Sequence, residues 1–290
     1  RALARASAVG ANVGDELLFP GLGGGRQEGV LRMIVACATI TPATKPRSSH
    51  GAGYASLAMA SLTLRTVTAT KYLTPFREGG SLPGLVEADD DGLYVVKFRG
   101  AAQGPRALVA EVIAGELGRA LGLPVPELVF VDVDPALAGV EPDPWVGELL
   151  EMSPGINLGL DFLPGSMTFD PRADGRPDAD LAANIVWFDA LVTNTDRSAR
   201  NPNVLSWHRR LWLIDHGASL FIHHTWLDPD AHARRPLATI AEHVLLPFAS
   251  SIGAAHERLA PLVTEEVLGI DIPTRAEMRE PGFLERTLGS

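Results

Sequence analysis

The sequence predicts an α+β fold in which a β-rich part precedes a mainly helical part. Apolar and polar residues alternate between about residues 62 and 98, which is typical of strands. Apolar residues recur at three- and four-residue steps in the segments 105–121 and 178–193, which is typical of helices. At 290 residues, the chain is long enough for two lobes or for one large domain.

The composition limits the classes of protein and partner. Hydrophobic residues make up 46% of the chain and charged residues 21%, which is typical of a folded globular protein. The net charge of -10 argues against broad nucleic-acid binding. Cys37 is the only cysteine, so an intrachain disulfide and a cysteine-cluster metal site are excluded. No run reaches the roughly 18 apolar residues of a membrane span. We therefore expect a cytoplasmic protein with neither nucleic-acid nor membrane partners.

The first half of the chain divides into recognisable elements. Residues 1–58 are rich in small residues and proline, and we expect a disordered extension there. A strand from Leu62 and a turn-rich loop follow, and then the segment 89–92 (Asp-Asp-Asp-Gly) predicts a hairpin turn rather than a metal site. The elements expected next are a strand Leu93–Phe98, a helix Pro105–Leu121 and a strand Glu127–Asp132.

The second half combines a strand, helices and one hairpin. A segment rich in proline and glycine precedes a strand and connector at Leu158–Gly165. The periodic segment Asp178–Thr193 predicts a helix, and the two apolar runs between residues 204 and 214 predict a β-hairpin. From about Pro236 to Gly269 we expect helical structure.

Three oxygen-bearing side chains have a spacing that points to phosphoryl transfer. Asn201 follows Asp196 by five residues, and Asp215 ends the next hydrophobic strand. Phosphoryl transfer needs a base for the incoming hydroxyl together with carboxylate and amide oxygens that hold Mg²⁺. Kinases carry these groups in this order along the chain.

On these motifs the sequence resembles the HipA-like kinases, relatives of the phosphatidylinositol 3- and 4-kinases, from about Thr66 to Leu268. The family's catalytic-loop pattern falls on residues 194–201 and its metal motif on residues 215–217. The resemblance implies that Asp196 is the catalytic base and that Asn201 and Asp215 are Mg²⁺ ligands. It also assigns Asn194 and Arg197 to the catalytic loop.

The nucleotide-binding residues are expected in the first half of the chain. Lys97 ends a Val-Val-Lys strand, from which an ammonium reaches the ATP phosphates. The resemblance pairs this lysine with Glu111, and Glu116 is the alternative on the same helix. The phosphate loop is placed at Gly79, Gly80 and Ser81, and the adenine site at Asp161, Phe162 and Leu163.

The resemblance implies a two-lobed protein-kinase-like fold. Its expected parts are an N-lobe at 59–163, a C-lobe at 164–270 and a tail at 271–290. The implied reaction is phosphorylation of a protein Ser/Thr hydroxyl with ATP and Mg²⁺.

The sequence is also compatible with other functions. Ser198 stands where many family members have histidine, which favours a pseudokinase that binds nucleotide without transfer. A lipid or small-molecule kinase is a third possibility, although the acidic chain shows no basic membrane patch. The cluster His208, His216, His223 and His224 suggests a metal hydrolase, but it lacks a His-Glu-x-x-His spacing.

Overall fold

A computed structural model describes residues 64–76, 82–101, 104–140, 143–220 and 237–263. Within these ranges the chain has a mixed α+β architecture, with a β-barrel first and most of the helices after it. No helix of the described part is both long enough and apolar enough to cross a membrane.

Five strands close into a small barrel in the order β1-β2-β3-β5-β4. Neighbouring strands are antiparallel except β1 and β4, whose parallel pairing closes the barrel. Closure leaves no unpaired sheet edge in this part of the fold. The strands are β1 (Thr66–Pro75), β2 (Gly84–Ala88), β3 (Leu93–Lys97), β4 (Leu128–Val133) and β5 (Gly155–Asp161).

The barrel surrounds its own apolar core. Inward positions of the strands bury residues such as Val86, Val96 and Val131, each at most 1% exposed. Helix α2 (Pro144–Glu151) adds Leu150 to the same cluster. Alternate side chains of a strand point to opposite faces, and this explains why the period-2 pattern predicted this region.

A second and larger core lies under the helices. Helix α1 (Gly104–Ala120) and helix α3 (Ala179–Leu191) bury most of their length in it, and helix α4 (Ile252–Leu259) packs against α3. Asp178 caps α3 by accepting a hydrogen bond from the Leu181 backbone N–H at 2.7 Å. The remaining helical turns are 3₁₀ helices at Pro135–Val140, Ala238–Glu242, Leu246–Phe248 and Ala260–Leu262.

A three-stranded sheet stands beside the second core. It consists of β6 (Met167–Thr168), β7 (Val204–Trp207) and β8 (Arg210–Leu213) in that order. His208 and Arg209, with φ of 48° and 62°, form the two-residue turn between β7 and β8. Positive φ at both central positions matches the twist of a tight hairpin. The hairpin that the sequence predicted is therefore present, and it directs the chain towards residues 214–217.

Two regions differ from the expectation. The segment rich in proline and glycine contains α2, whose start is marked by Asp143 as N-cap and by Pro144 in the first turn. The helical stretch expected from about Pro236 is broken into short 3₁₀ helices before α4. Pro247 lies inside the second of them and cannot donate an intrahelical hydrogen bond.

The barrel interior supplies a test of the packing. A Cβ atom on Gly159 would lie 2.6 Å from Val131 Cγ2 and 3.0 Å from Val129 Cγ2. We expect Gly159→Ala to lower the free energy of unfolding by about 1–3 kcal/mol through overpacking. In α2, Gly147→Ala is the matched control, because its nearest neighbour would be a carbonyl oxygen at 3.8 Å. Urea unfolding of both variants measures the difference, and equal stabilities would contradict the packing described here.

Candidate active site

A buried lysine joins three distant segments of the chain. Lys97, the last residue of β3, is 8% exposed. Its Nζ donates to Glu111 Oε2 at 2.6 Å and to Asp215 Oδ1 at 2.6 Å. Glu111 lies on α1 and is fully buried, whereas the Asp215 side chain is 35% exposed. The ammonium therefore has a buried counter-ion on one side and a partly solvated one on the other.

The charges of this group are mutually dependent. Burial alone would raise the pKa of Glu111, but the adjacent Lys97 ammonium and the nearby His216 together outweigh burial and hold that pKa well below its usual range. Burial alone would lower the pKa of Lys97, but Glu111 and Asp215 together raise it. Both groups are therefore ionised at neutral pH. The alternative partner Glu116 instead lies 3.3 Å from the Arg119 side chain.

Asp215 reaches Lys97 from an unusual backbone conformation. Its φ of 55° lies in the left-handed region, which a non-glycine residue adopts at a cost of about 1–3 kcal/mol. The preceding residue, Ile214, is fixed because its backbone N–H donates to the Asn203 carbonyl at 3.1 Å. Hairpin β7–β8 and this turn therefore aim the Asp215 carboxylate at the lysine.

Lys97, Glu111 and Asp215 form what we call the lysine group. His216 lies next to Glu111 in this group. It is fully buried, and its Nδ1 lies 3.6 Å from Glu111 Oε1, too far for a hydrogen bond. The ring packs edge-on against Phe188, with centroids 6.2 Å apart. Both ring nitrogens lack a hydrogen-bond partner among the described residues.

The histidine cluster does not assemble in the described part of the chain. His208 lies in the exposed hairpin turn and His216 in the core, while His223 and His224 lie outside the described residues. Within the described ranges, no group of three or more His, Cys, Asp or Glu side chains is placed to hold a metal ion.

The loop after α3 presents a second carboxylate. Asp196 Oδ2 accepts from Asn201 Nδ2 at 2.8 Å and, more weakly, from Asn203 Nδ2 at 3.4 Å. Asn203 Nδ2 also donates to the Asp196 backbone carbonyl at 2.7 Å. The Asn203 carbonyl accepts the Ile214 N–H, so the loop is hydrogen-bonded to the turn that carries Asp215. The structure thus brings Asp196, Asn201 and Asp215 into one connected region.

Asn194 and Arg197 flank Asp196 but point into the protein. They are 3% and 2% exposed. Asn194 Oδ1 accepts the Asp196 backbone N–H at 3.0 Å, and the Arg197 guanidinium bonds to the Asn203 and Ile214 carbonyls. These contacts hold the backbone of the loop, and both side chains are shielded from solvent.

Ser198 supports the turn of the loop. Its Oγ accepts the backbone N–H groups of Arg200 and Asn201, each at 3.3 Å, and its own N–H donates to the Asn201 carbonyl at 3.0 Å. A hydroxyl that bonds to following backbone groups is typical of serine in turns. The turn that carries Asn201 is therefore formed with serine at this position.

The residues predicted for the adenine site lie at the end of β5, the strand that pairs with β3. Asp161, which ends β5, is exposed and pairs with Tyr94, whereas Lys97 pairs with Leu158. Three residues along a strand separate the two positions by about 10 Å. Phe162 lies half-buried with its ring 6.3 Å from that of Phe76. The buried Leu163 follows, and Gly79, Gly80 and Ser81 lie outside the described residues.

Two residues that the sequence reasoning did not select belong to the same region. Asp189 and His243 are both buried, and they contact each other and the loop. An aspartate inside the otherwise apolar run Ile185–Leu191 is the sequence signal for Asp189, because a buried charge needs partners. For His243, which is 54 positions from Asp189, the local sequence carries no comparable signal.

The oxygen atoms present fit a hard divalent cation. Asp215 offers a partly exposed carboxylate and Asn201 an exposed amide, and Mg²⁺ prefers oxygen ligands of these kinds. The Asn201 amide nitrogen is engaged by Asp196, which turns the amide oxygen away from that carboxylate. These two residues would therefore hold Mg²⁺, and Lys97 would meet the phosphates.

The chain matches the model of a protein family over part of its length. The model that matches residues 70–233 describes a kinase. Its description is HipA-like kinase, and because the match spans more than half of the chain, the chain belongs to that family. It is therefore an ATP-dependent phosphotransferase, in agreement with the resemblance found in the sequence. Curated proteins and solved structures give no significant match to the chain.

The lysine group supplies a test by double-mutant cycle. Lys97→Met leaves the fully buried Glu111 carboxylate without its main partner, which we expect to cost about 3–5 kcal/mol of unfolding free energy. Adding Glu111→Gln removes the buried charge that has lost its partner. The double variant should therefore be about 0.5–3 kcal/mol more stable than the sum of the two single losses predicts. The control is Lys71→Met on the exposed face of β1. Additive losses in urea unfolding would contradict a direct pair.

Proposed function

We propose that this chain transfers the γ-phosphoryl group of Mg-ATP to a Ser or Thr hydroxyl of a protein, with Asp196 as the catalytic base. The single observation that carries the proposal is the position of Lys97 between Glu111 and Asp215, which are 14 and 118 positions away in the sequence. Kinase chemistry uses a lysine, its glutamate partner and a metal-binding aspartate together.

The order of the elements supports a two-lobed kinase-like fold. The barrel and α1, with Lys97 and Glu111, precede the loop and hairpin that carry Asp196 and Asp215. On this interpretation the N-lobe spans about 59–163 and the C-lobe about 164–270, with 161–163 as the connector that lines the adenine site. The lysine group then lies where the two lobes meet.

Lys97 has the bonding capacity that nucleotide binding requires. An ammonium has three N–H donors, and two are taken by Glu111 and Asp215. The third is left for an oxygen of the α- or β-phosphate. Because the chain is acidic overall, phosphate binding depends on such local donors rather than on the net charge.

Asp196 is arranged to accept a proton. Both of its side-chain hydrogen bonds fall on Oδ2, from Asn201 and Asn203. Among the described residues no side chain donates to Oδ1, which leaves that oxygen for the acceptor hydroxyl. Asn194 and Arg197 contribute by holding the loop, since their own side chains are buried.

The metal completes the chemistry. Asn201 and Asp215 would hold Mg²⁺, which would supply positive charge to offset the charge that develops on the phosphate oxygens. The protein's part is to place the Asp215 carboxylate beside Lys97 and the Asn201 amide beside Asp196. The bond between Asn201 Nδ2 and Asp196 couples the base to one of the metal ligands.

A pseudokinase is the second candidate, and one observation favours it. Ser198 supplies no imidazole for orientation or proton transfer where many family members have histidine. Its hydroxyl nevertheless accepts two backbone N–H groups of the loop and so keeps Asn201 in place. A pseudokinase would bind nucleotide and transfer nothing. Mass spectrometry after incubation with Mg-ATP and a lysate separates the two functions and reports whether the acceptor is protein, lipid or small molecule.

The base supplies the direct test. Asp196→Asn retains the shape of the side chain and an oxygen that can accept from Asn201, but it removes the proton acceptor. We expect phosphotransfer to fall about 10²- to 10⁴-fold. The matched control is Asp132→Asn, at an exposed carboxylate on β4. An Asp196→Asn protein with the wild-type rate would exclude Asp196 as the base.

The metal ligands supply a separate test. Asp215→Asn removes one negative charge from the proposed Mg²⁺ site, so we expect the Mg²⁺ concentration for half-maximal activity to rise at least roughly tenfold. Excess EDTA should abolish transfer by the wild-type protein. A Mg²⁺ titration of phosphotransfer at fixed ATP measures both effects. An unchanged Mg²⁺ requirement in the variant would remove Asp215 from the site.

A further inference from the structure

A group of four buried side chains lies beneath the loop that carries Asp196. It consists of Asp189, Asn194, Arg197 and His243, and none of the four is more than 4% exposed. Asp189 comes from the last turns of α3, the next two from the loop, and His243 from the segment between two 3₁₀ helices. We call these four residues the Asp189 group. His243 lies beyond residue 233, where the family match ends.

Asp189 is the centre of this group. Its Oδ2 accepts from Arg197 Nε at 2.5 Å and from His243 Nε2 at 2.8 Å. Its Oδ1 accepts from Asn194 Nδ2 at 3.1 Å and more weakly from Arg197 Nη2 at 3.5 Å. Each oxygen of this fully buried carboxylate therefore has two donors. A buried carboxylate with four donors holds those donors in place, because losing one of them would lower the stability of the fold.

The hydrogen bonds of His243 assign its tautomer. The Leu245 backbone N–H donates to His243 Nδ1 at 3.0 Å, so Nδ1 carries no proton. Nε2 therefore carries the proton and donates it to Asp189. Each ring nitrogen thus has one defined partner. The imidazole is oriented by the backbone that follows it, and the Asp189 carboxylate is oriented by the imidazole.

The group determines the shape of the loop on both sides of Asp196. Asn194, held by Asp189, accepts the Asp196 N–H at 3.0 Å. Arg197, held by Asp189, donates to the Asn203 and Ile214 carbonyls, next to the turn of Asp215. The segment of His243 also contacts the loop directly, since the Val244 N–H donates to the Arg197 carbonyl at 3.1 Å.

We propose that Asp189 and His243 are positioning residues for phosphotransfer, and that His243 locks Asp189 so that Asn194 and Arg197 hold Asp196 and Asp215 in their reacting geometry. The proposal rests on the proposed function for its catalytic part, in which Asp196 is the base. Its structural part, that His243 orders residues 194–203, stands independently. The segment around residue 243 thereby becomes part of the active site without touching substrate.

The kinetic test uses a conservative and a disruptive variant. Gln at position 243 offers an amide N–H to Asp189 and an oxygen to the Leu245 N–H, whereas Leu offers neither. We expect His243→Leu to lower kcat roughly 10²-fold, because small displacements of reacting groups cost that much. The KM for ATP should change less than kcat, since Lys97 keeps its buried partner Glu111 in the variant. His243→Gln should restore most of kcat, and Ile240→Ala, a core truncation nearby, should leave kcat unchanged.

Hydrogen exchange tests the structural part without reference to activity. We expect His243→Leu to accelerate amide exchange in peptides that cover residues 194–203, with no such change in His243→Gln or Ile240→Ala. Unchanged exchange in His243→Leu overturns the proposal, even if kcat falls. Accelerated exchange with an unchanged kcat overturns the catalytic part. If the wild-type protein transfers no phosphate but exchange accelerates, the proposed function fails and the ordering role remains.

The tautomer of His243 can be measured in the wild-type protein, with one variant needed only to assign the signal. A two-bond ¹⁵N–¹H spectrum distinguishes the two neutral tautomers of histidine, and His243→Gln identifies the signal. We expect the Nε2–H form with a slowly exchanging proton. A His243 ring protonated at Nδ1 alone, or one whose Nε2 proton exchanges at the rate of an exposed histidine, overturns the proposal.

Discussion

The active site depends on a buried ammonium that requires negative partners. Lys97 cannot be buried in its charged form unless carboxylates approach it, because desolvation of a lone charge is prohibitive. Glu111 provides the fully buried partner and Asp215 the partly solvated one. Since these residues come from a strand, a helix and a turn far along the chain, satisfying one charge brings the three segments together.

The lysine group and the Asp189 group are connected through the turn after β8. In the first, Lys97 bonds to Asp215, and in the second, Arg197 donates to the carbonyl of the preceding residue, Ile214. Burial opposes the ionised form of Asp189, but Arg197 and His243 outweigh burial and hold its pKa well below the usual range. Glu111 therefore remains ionised beside Lys97, and Asp189 remains ionised beside Arg197. The two groups meet at Ile214 and Asp215, where the backbone of Asp215 is left-handed.

Much of this arrangement could be predicted because it follows local patterns. The strand Leu93–Lys97 alternates between more and less buried positions along most of its length, and the helix Ala179–Leu191 is apolar on almost all sides. The order of Lys97, Asp196 and Asp215 along the chain predicts kinase chemistry from the sequence alone. The sequence does not predict the helix Pro144–Glu151, because the proline and glycine around it are typical of a loop. Its N-cap residue, Asp143, is nevertheless a residue type that favours a helix start. The bond from His243 to Asp189 joins positions with no shared local pattern, so only the folded chain reveals it.

The serine at position 198 shows why loop shape and loop chemistry must be considered separately. The Ser198 hydroxyl and backbone form three hydrogen bonds within the loop, and an imidazole is not needed for any of them. Asp196 is held by contacts from Asn194 and Asn203, which do not involve residue 198. Serine at position 198 therefore supplies no imidazole, and it leaves the contacts that hold Asp196, the proposed base, in place. In the proposed mechanism, the Asp196 carboxylate accepts the proton of the hydroxyl without help from residue 198.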